Sequence, residues 1–185
     1  KHRVTDPGQL STYKARRPGA DYKSVAAAVE AIAAAKHPII LAGNGAVRKR
    51  AAKQLRRLAR KTGIGVINTF MGKGAVSLDD PHCLFTMGLQ GRDHASSIME
   101  QADTIIAVGY DLVEYAPQFW NTGAAKTIVH IDFTTSEVDS AYDVSVGVVG
   151  DIADALWQIN EALNTRFHGK LPLFDEDGQR IASLA

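Results

Sequence analysis

The sequence predicts an α/β fold in which a parallel sheet is covered by helices on both faces. Three observations lead there. The run Thr104–Val108 is continuously apolar and rich in β-branched residues, as in a strand buried on both sides. This run and the one at residues 127–131 stop at a small or acidic residue, Gly109 and Asp132, where a parallel sheet presents its carboxyl ends to a ligand. Such runs alternate along the chain with segments of helical periodicity, which is the signature of βαβ units with right-handed crossovers.

The elements follow in order. Residues 1–20 are polar, carry Pro7, Gly8, Pro18 and Gly19, and read as a linker. Residues 24–36 form an alanine-rich helix with Val25, Val29 and Ile32 on one face. After Pro38, residues 39–41 make a short buried strand ending in the turn Ala42-Gly43-Asn44-Gly45. A second helix spans residues 47–62, with Ala51, Leu55, Leu58 and Ala59 inward and Gly63 closing it. A strand at 65–68 leads into a long loop at 69–82. A helix at 93–101 precedes the strand at 104, and further β-runs lie at 127–131 and 144–149. Asp151 is the expected N-cap of a last helix that turns Ile152, Leu156, Ile159 and Leu163 inward. The body of the domain is therefore 21–163, and residues 164–185, punctuated by Pro and Gly, read as a second linker.

Composition narrows the function classes. The 185 residues are enough for one substantial core, and 45% hydrophobic with 22% charged residues is ordinary for a globular domain. A net charge of +1 exerts no general pull on nucleic acid or an anionic membrane. The basic helix at 47–62, with Arg48, Lys49, Arg50, Lys53, Arg56, Arg57, Arg60 and Lys61, lacks interleaved aromatics and reads as a solvated face. The single cysteine, Cys83, excludes an internal disulfide and suits a reducing, cytoplasmic setting. No apolar run approaches the roughly 20 residues of a membrane span. The chain opens on Lys1 and is expected to be a piece of something larger.

The chemistry-bearing features gather at the predicted carboxyl edge. The turn Gly43-Asn44-Gly45 joins a strand to a helix, so its N–H groups suit a phosphate or carboxylate; a tight turn that needs glycine for geometry alone is the other reading. It is not a dinucleotide fingerprint, because Arg48 stands three residues beyond Gly45. Asp132 suits a ribose or adenine contact, or merely caps a turn, and Asp151 carries the same two readings. The six histidines show no metal-ligand spacing, so neither a metal site nor a catalytic residue is assigned. Tyr110, Tyr115, Phe119 and Trp120 are expected at a domain or subunit contact.

Taken in order, HPIILAGNGAVR, GIGVINTFMGKGAVSLDDPH, GLQG, ADTIIAVGYD, IVHID and VGDIADAL resemble the central domain of thiamine-diphosphate-dependent enzymes, over residues 25–163. The resemblance implies a six-stranded parallel sheet in a three-layer sandwich, similar to the nucleotide-binding fold of deoxyhypusine synthase. Within the group, GYDLVEYAPQFWN followed by IVHID is similar to the catabolic, FAD-independent acetolactate synthases, which join two pyruvates into 2-acetolactate and release CO2. The AGNGAVR and MGKGAV segments look like the general synthase family. Relatives that bind FAD carry an arginine after the strand-ending glycine, where this chain has Tyr110 and Asp111.

The resemblance further implies that thiamine diphosphate and Mg2+ are held by N- and C-terminal domains of a parent chain, assembled as a homodimer or homotetramer. The family's nucleotide contacts carry over onto Gly43, Asn44, Gly45, Thr69, Gly109, Asp132 and Asp151. They are expected to be vestigial in an FAD-independent branch. The alternative is a working FAD or adenine-nucleotide module. The loop Met71-Gly72-Lys73-Gly74 would face the active-site side, with Lys73 a solvated loop lysine.

Overall fold

The computed structural model describes residues 18–88, 94–137, 139–169, 172–175 and 178. Six strands form one all-parallel sheet: β1 (Pro38–Ala42), β2 (Val66–Thr69), β3 (Cys83–Met87), β4 (Thr104–Val108), β5 (Thr127–Asp132) and β6 (Val146–Val149). Their spatial order is β3-β2-β1-β4-β5-β6. The chain therefore winds outward from β1 to β3, returns to lie beside β1 as β4, and winds outward the other way. The point of return, between β1 and β4, is the topological switch where such sheets leave a crevice at the strands' carboxyl ends.

Side-chain alternation along each strand divides the interior in two. One layer joins Ile40, Ala42, Val66, Ile106, Val108 and Val129 to helices α1 (Tyr22–Ala34), α2 (Lys49–Thr62) and α4 (Ile152–Arg166). The other joins Ile39, Leu41, Ile67, Ile105, Ala107 and Ile128 to α3 (His94–Gln101) and to Tyr110, Trp120 and Tyr142. The β4–β5 connection contributes only a short 3-10 turn, Pro117–Phe119, in place of an α-helix. Trp120 and Tyr142 pack at 6.0 Å between ring centroids and Tyr110 and Tyr142 at 5.6 Å, so aromatic rings cover the face that a helix would otherwise cover. Tyr110 and Trp120 thus belong to this domain's own core, whereas the sequence suggested a contact between domains; Phe119 is the exposed member.

The sequence reading and the structure differ at the element ends. Helix α1 begins at Tyr22 because the Asp21 carboxylate accepts the N–H groups of Lys23 and Ser24. The turn after β1 continues as a 3-10 turn, Asn44–Val47, before α2 starts at Lys49. Gly63 closes α2 in the left-handed region, φ 81°, as expected. Asp151 caps α4 by accepting from Ala153 and Asp154, also as expected. Strand β3 is absent from the residue-by-residue reading, though the family resemblance implied a sixth strand. Beyond α4, Leu173 and Phe174 fold back on the carbonyl of Thr62 and are buried in the core. Residues 1–17, Asp93 at the expected start of α3 and most of 176–185 lie outside the described residues. No helix among the described residues is long and apolar enough to cross a membrane.

Candidate functional site at the carboxyl edge

The ends of β1 and β4 meet through glycine backbones. The Gly43 N–H donates to the Val108 carbonyl at 2.9 Å, and that of Gly45 to the Gly109 carbonyl at 2.8 Å. A Cβ on Gly109, whose φ is 57°, would lie 2.4 Å from the Gly45 Cα; one on Gly43 would lie 2.5 Å from the Tyr110 Cα. These glycines therefore allow two turns to interlock at the switch point. The same contact engages two of the N–H groups that a phosphate would need.

The third N–H, that of Asn44, is taken by a residue the sequence reading missed. The Glu114 carboxylate accepts it at 3.0 and 3.2 Å. Glu114 also accepts the Asp111 N–H at 3.2 Å and the Thr69 hydroxyl at 2.5 Å. Thr69, fully buried at the end of β2, in turn accepts the Gly72 N–H at 2.8 Å. A Cβ on Gly72 would lie 1.9 Å from the Ala42 carbonyl oxygen, so the loop after β2 is seated against β1 at that residue, while Lys73 is exposed. Three of the seven sequence-assigned residues, Gly43, Asn44 and Thr69, thus meet one carboxylate, and Gly45 and Gly109 interlock at the same turn.

Asp132 and Asp151 lie further along the same edge. The Asp132 carbonyl accepts the Gly150 N–H at 2.8 Å, and its carboxylate accepts the neighbouring Phe133 N–H at 2.5 Å. Burial raises the Asp132 carboxyl above its ordinary value, against the lowering influence of Phe133, His130 and Arg48. Arg48 lays its guanidinium 4.3 Å from the Phe133 ring centroid, and its charge works to lower the Asp132 carboxyl. His130 is buried with Nδ1 2.9 Å from the Tyr142 hydroxyl, and burial pushes its pKa down. Tyr110, Asp111, His130, Asp132, Thr134 and Tyr142 help line a polar cavity of about 170 Å3. Asp151 is occupied as the α4 cap, and no ligand-facing role emerges from its contacts.

A flavin dinucleotide does not fit this arrangement. The N–H groups of Gly43 and Gly45 are engaged internally, the Glu114 carboxylate already holds that of Asn44, and the adjoining cavity of about 170 Å3 is below the roughly 300 Å3 at which cofactor pockets begin. A larger cavity of about 750 Å3 opens at the opposite, amino edge, beside Pro38, Gly65, Leu84 and Phe174. Its polar wall is an ion-pair cluster, with Asp80 joined to Arg60 at 2.9 Å and to His82 at 3.1 Å. Burial works to raise the Asp80 carboxyl, but those two partners outweigh it and hold it below its ordinary value. Among the described residues no group of His, Cys, Asp and Glu could hold a metal ion.

The chain is similar to known proteins over most of its length. The chain is 33% identical to an acetolactate synthase of Bacillus subtilis (strain 168) over 152 residues, covering 81% of this chain and 26% of that protein. It is 34% identical to a catabolic acetolactate synthase of Raoultella terrigena over 168 residues, covering 88% and 30% respectively. It is 32% identical to a probable acetolactate synthase large subunit of Methanococcus aeolicus over 145 residues, covering 77% and 24%. The chain thus spans only 24–30% of the length of these relatives. Residues 25–159 match the family described as thiamine pyrophosphate enzyme, central domain. The chain belongs to that family, and the domain it supplies is the central one.

Proposed function

We propose that this chain is the non-catalytic central domain of an acetolactate-synthase-like enzyme that joins two pyruvates into 2-acetolactate and CO2, and that its carboxyl-edge crevice is a vestigial nucleotide site. The observation that carries this reading is the internal engagement of the turn: Gly43 and Gly45 donate to Val108 and Gly109, and Asn44 donates to Glu114. Gly43, Asn44, Gly45, Thr69, Gly109, Asp132 and Asp151 are then the remnant of a cofactor site that now serves to interlock strand ends. The domain body is taken as 21–163, with 1–20 and 164–185 leading toward the N- and C-terminal domains of a cytoplasmic homodimeric or homotetrameric parent; within the second segment α4 runs on to Arg166, and Leu173 and Phe174 pack into this domain's core. Thiamine diphosphate supplies the electron sink for decarboxylation in the parent, with Mg2+ at its diphosphate, and this chain's residues hold neither. FAD is not required.

Two measurements on the 185-residue chain test the reading. Incubated with pyruvate, thiamine diphosphate and Mg2+, it should form no acetolactate; turnover would place catalytic groups in this domain. Saturating FAD or ADP should leave its unfolding temperature unchanged, whereas a true ligand at 100 times its dissociation constant adds about 2.7 kcal/mol, a shift of several degrees. The small polar cavity beside Asp132 favours adenine recognition as the second reading, in which ADP alone shifts the transition.

A further inference from the structure

We propose that Glu114 sets the ligand specificity of this crevice: its carboxylate is a built-in anion that occupies the place of a phosphate group and keeps phosphate-bearing cofactors out. The proposal deepens the vestigial-site reading and rests on it. Glu114 sits at the β1–β4 switch point, where ligand crevices of open parallel sheets form. Its two oxygens collect the donors that an oxyanion would take: the N–H groups of Asn44 and Asp111 and the hydroxyl of Thr69. These come from the ends of three different strands, β1, β4 and β2, so the carboxylate is met by convergent donors and not by its own loop alone. Charge-assisted hydrogen bonds of this kind are the strong ones.

Space makes the same point. A Cβ on Gly43 would lie 2.9 Å from Glu114 Oε1, so the glycine that would admit a phosphate here admits this carboxylate. A phosphate entering beside Glu114 would lose the Asn44 N–H and meet a like charge at contact. The occupant of the emptied site would be a phosphate or diphosphate oxyanion, alone or as part of an adenine nucleotide reaching toward Asp132.

The test is calorimetric titration of the wild-type chain, E114A and E114Q with inorganic pyrophosphate and with ADP, the folded state of each being checked by circular dichroism and thermal melting. Wild type should show no saturable binding at millimolar ligand. E114A should bind both probes at least about tenfold more tightly. E114Q, which keeps the volume and removes the charge, should fall between. Adding T69V to E114A should weaken the gained binding, because a donor is lost.

If folded E114A and E114Q both fail to bind pyrophosphate and ADP, Glu114 is not what bars the anion and the proposal is overturned, while the vestigial reading stands. If wild type binds ADP as tightly as E114A, both fall. Should E114A not fold, E114Q decides: binding of pyrophosphate supports the proposal, and its absence overturns it.

Discussion

Thr69 and Glu114, 45 positions apart in sequence, are joined by a 2.5 Å hydrogen bond from the buried hydroxyl to the carboxylate. The same oxygen accepts the Gly72 N–H, so one side chain holds two loops at the carboxyl edge. Thr69→Val keeps the shape and removes both side-chain interactions, leaving the Glu114 carboxylate short of one donor and the Gly72 N–H with the Thr69 carbonyl alone, at 3.1 Å. It should lower the unfolding free energy by about 1–3 kcal/mol, whereas Thr69→Ser should retain most of it. Urea unfolding measures both; a Val variant within about 0.5 kcal/mol of wild type would show that the clasp holds nothing.

The interlocked glycines make a sharper prediction. Gly109 combines a positive φ with backbone atoms of Gly45 and Ala46 inside 2.7 Å of any Cβ. Gly109→Ala should therefore destabilise by roughly 2–4 kcal/mol, the sum of overpacking and left-handed backbone strain. Gly123 has open space around it, and Gly123→Ala should be near neutral. Equal thermal shifts in the two variants would contradict the packed-turn account.

How far the sequence could be read follows from the range of the interactions involved. Strand β4 is continuously apolar and fully buried, so its own five residues announce it, and Asp151 caps a helix through N–H groups two and three positions on. Strand β3 was missed for a local reason. Its register shifts opposite Val66 and Ile67, Phe85 takes a φ of 136°, and the burial alternation that marks a strand is lost at this sheet edge. The site was half legible. The strand-ending glycines marked the edge, but Glu114 owes its role to Asn44, 70 residues away, and Thr69, which no local pattern encodes. The available signal was an acidic residue five positions after the strand-ending Gly109, facing a glycine turn that lacks the third fingerprint glycine.

Trp120 and Phe119 are neighbours with opposite fates. Trp120 is 2% exposed among Tyr110 and Tyr142, and Phe119 is 62% exposed. Trp120→Ala should cost about 3–5 kcal/mol, the range for emptying a large aromatic site. Phe119→Ala should change the stability of this chain by no more than about 0.5 kcal/mol. Comparable losses from both, measured by denaturant midpoint at constant slope, would mean that the aromatic layer is not the core described here.

His130 and Asp132 tie stability to pH with opposite signs. Burial depresses the His130 pKa below 6.5, so the unfolded chain takes up a proton that the folded chain refuses. Its contribution is fully present above pH 6.5 and is lost as pH falls from there toward the folded value. Asp132 is shifted upward from 3.8, so its folded form holds a proton longer and stability falls as pH rises through its own, more acidic window. Wild type should therefore lose stability on acidification below about pH 6.5, His130→Gln should flatten that segment, and Asp132→Asn should steepen it. The steepening arises because Asp132 is the first of the groups that pull the His130 pKa back up. Urea midpoints collected between pH 5 and 8 for the three proteins give the slopes directly. An unchanged slope in His130→Gln would mean that another group carries the dependence, and a shallower one in Asp132→Asn would mean that the two side chains are not coupled in the folded state.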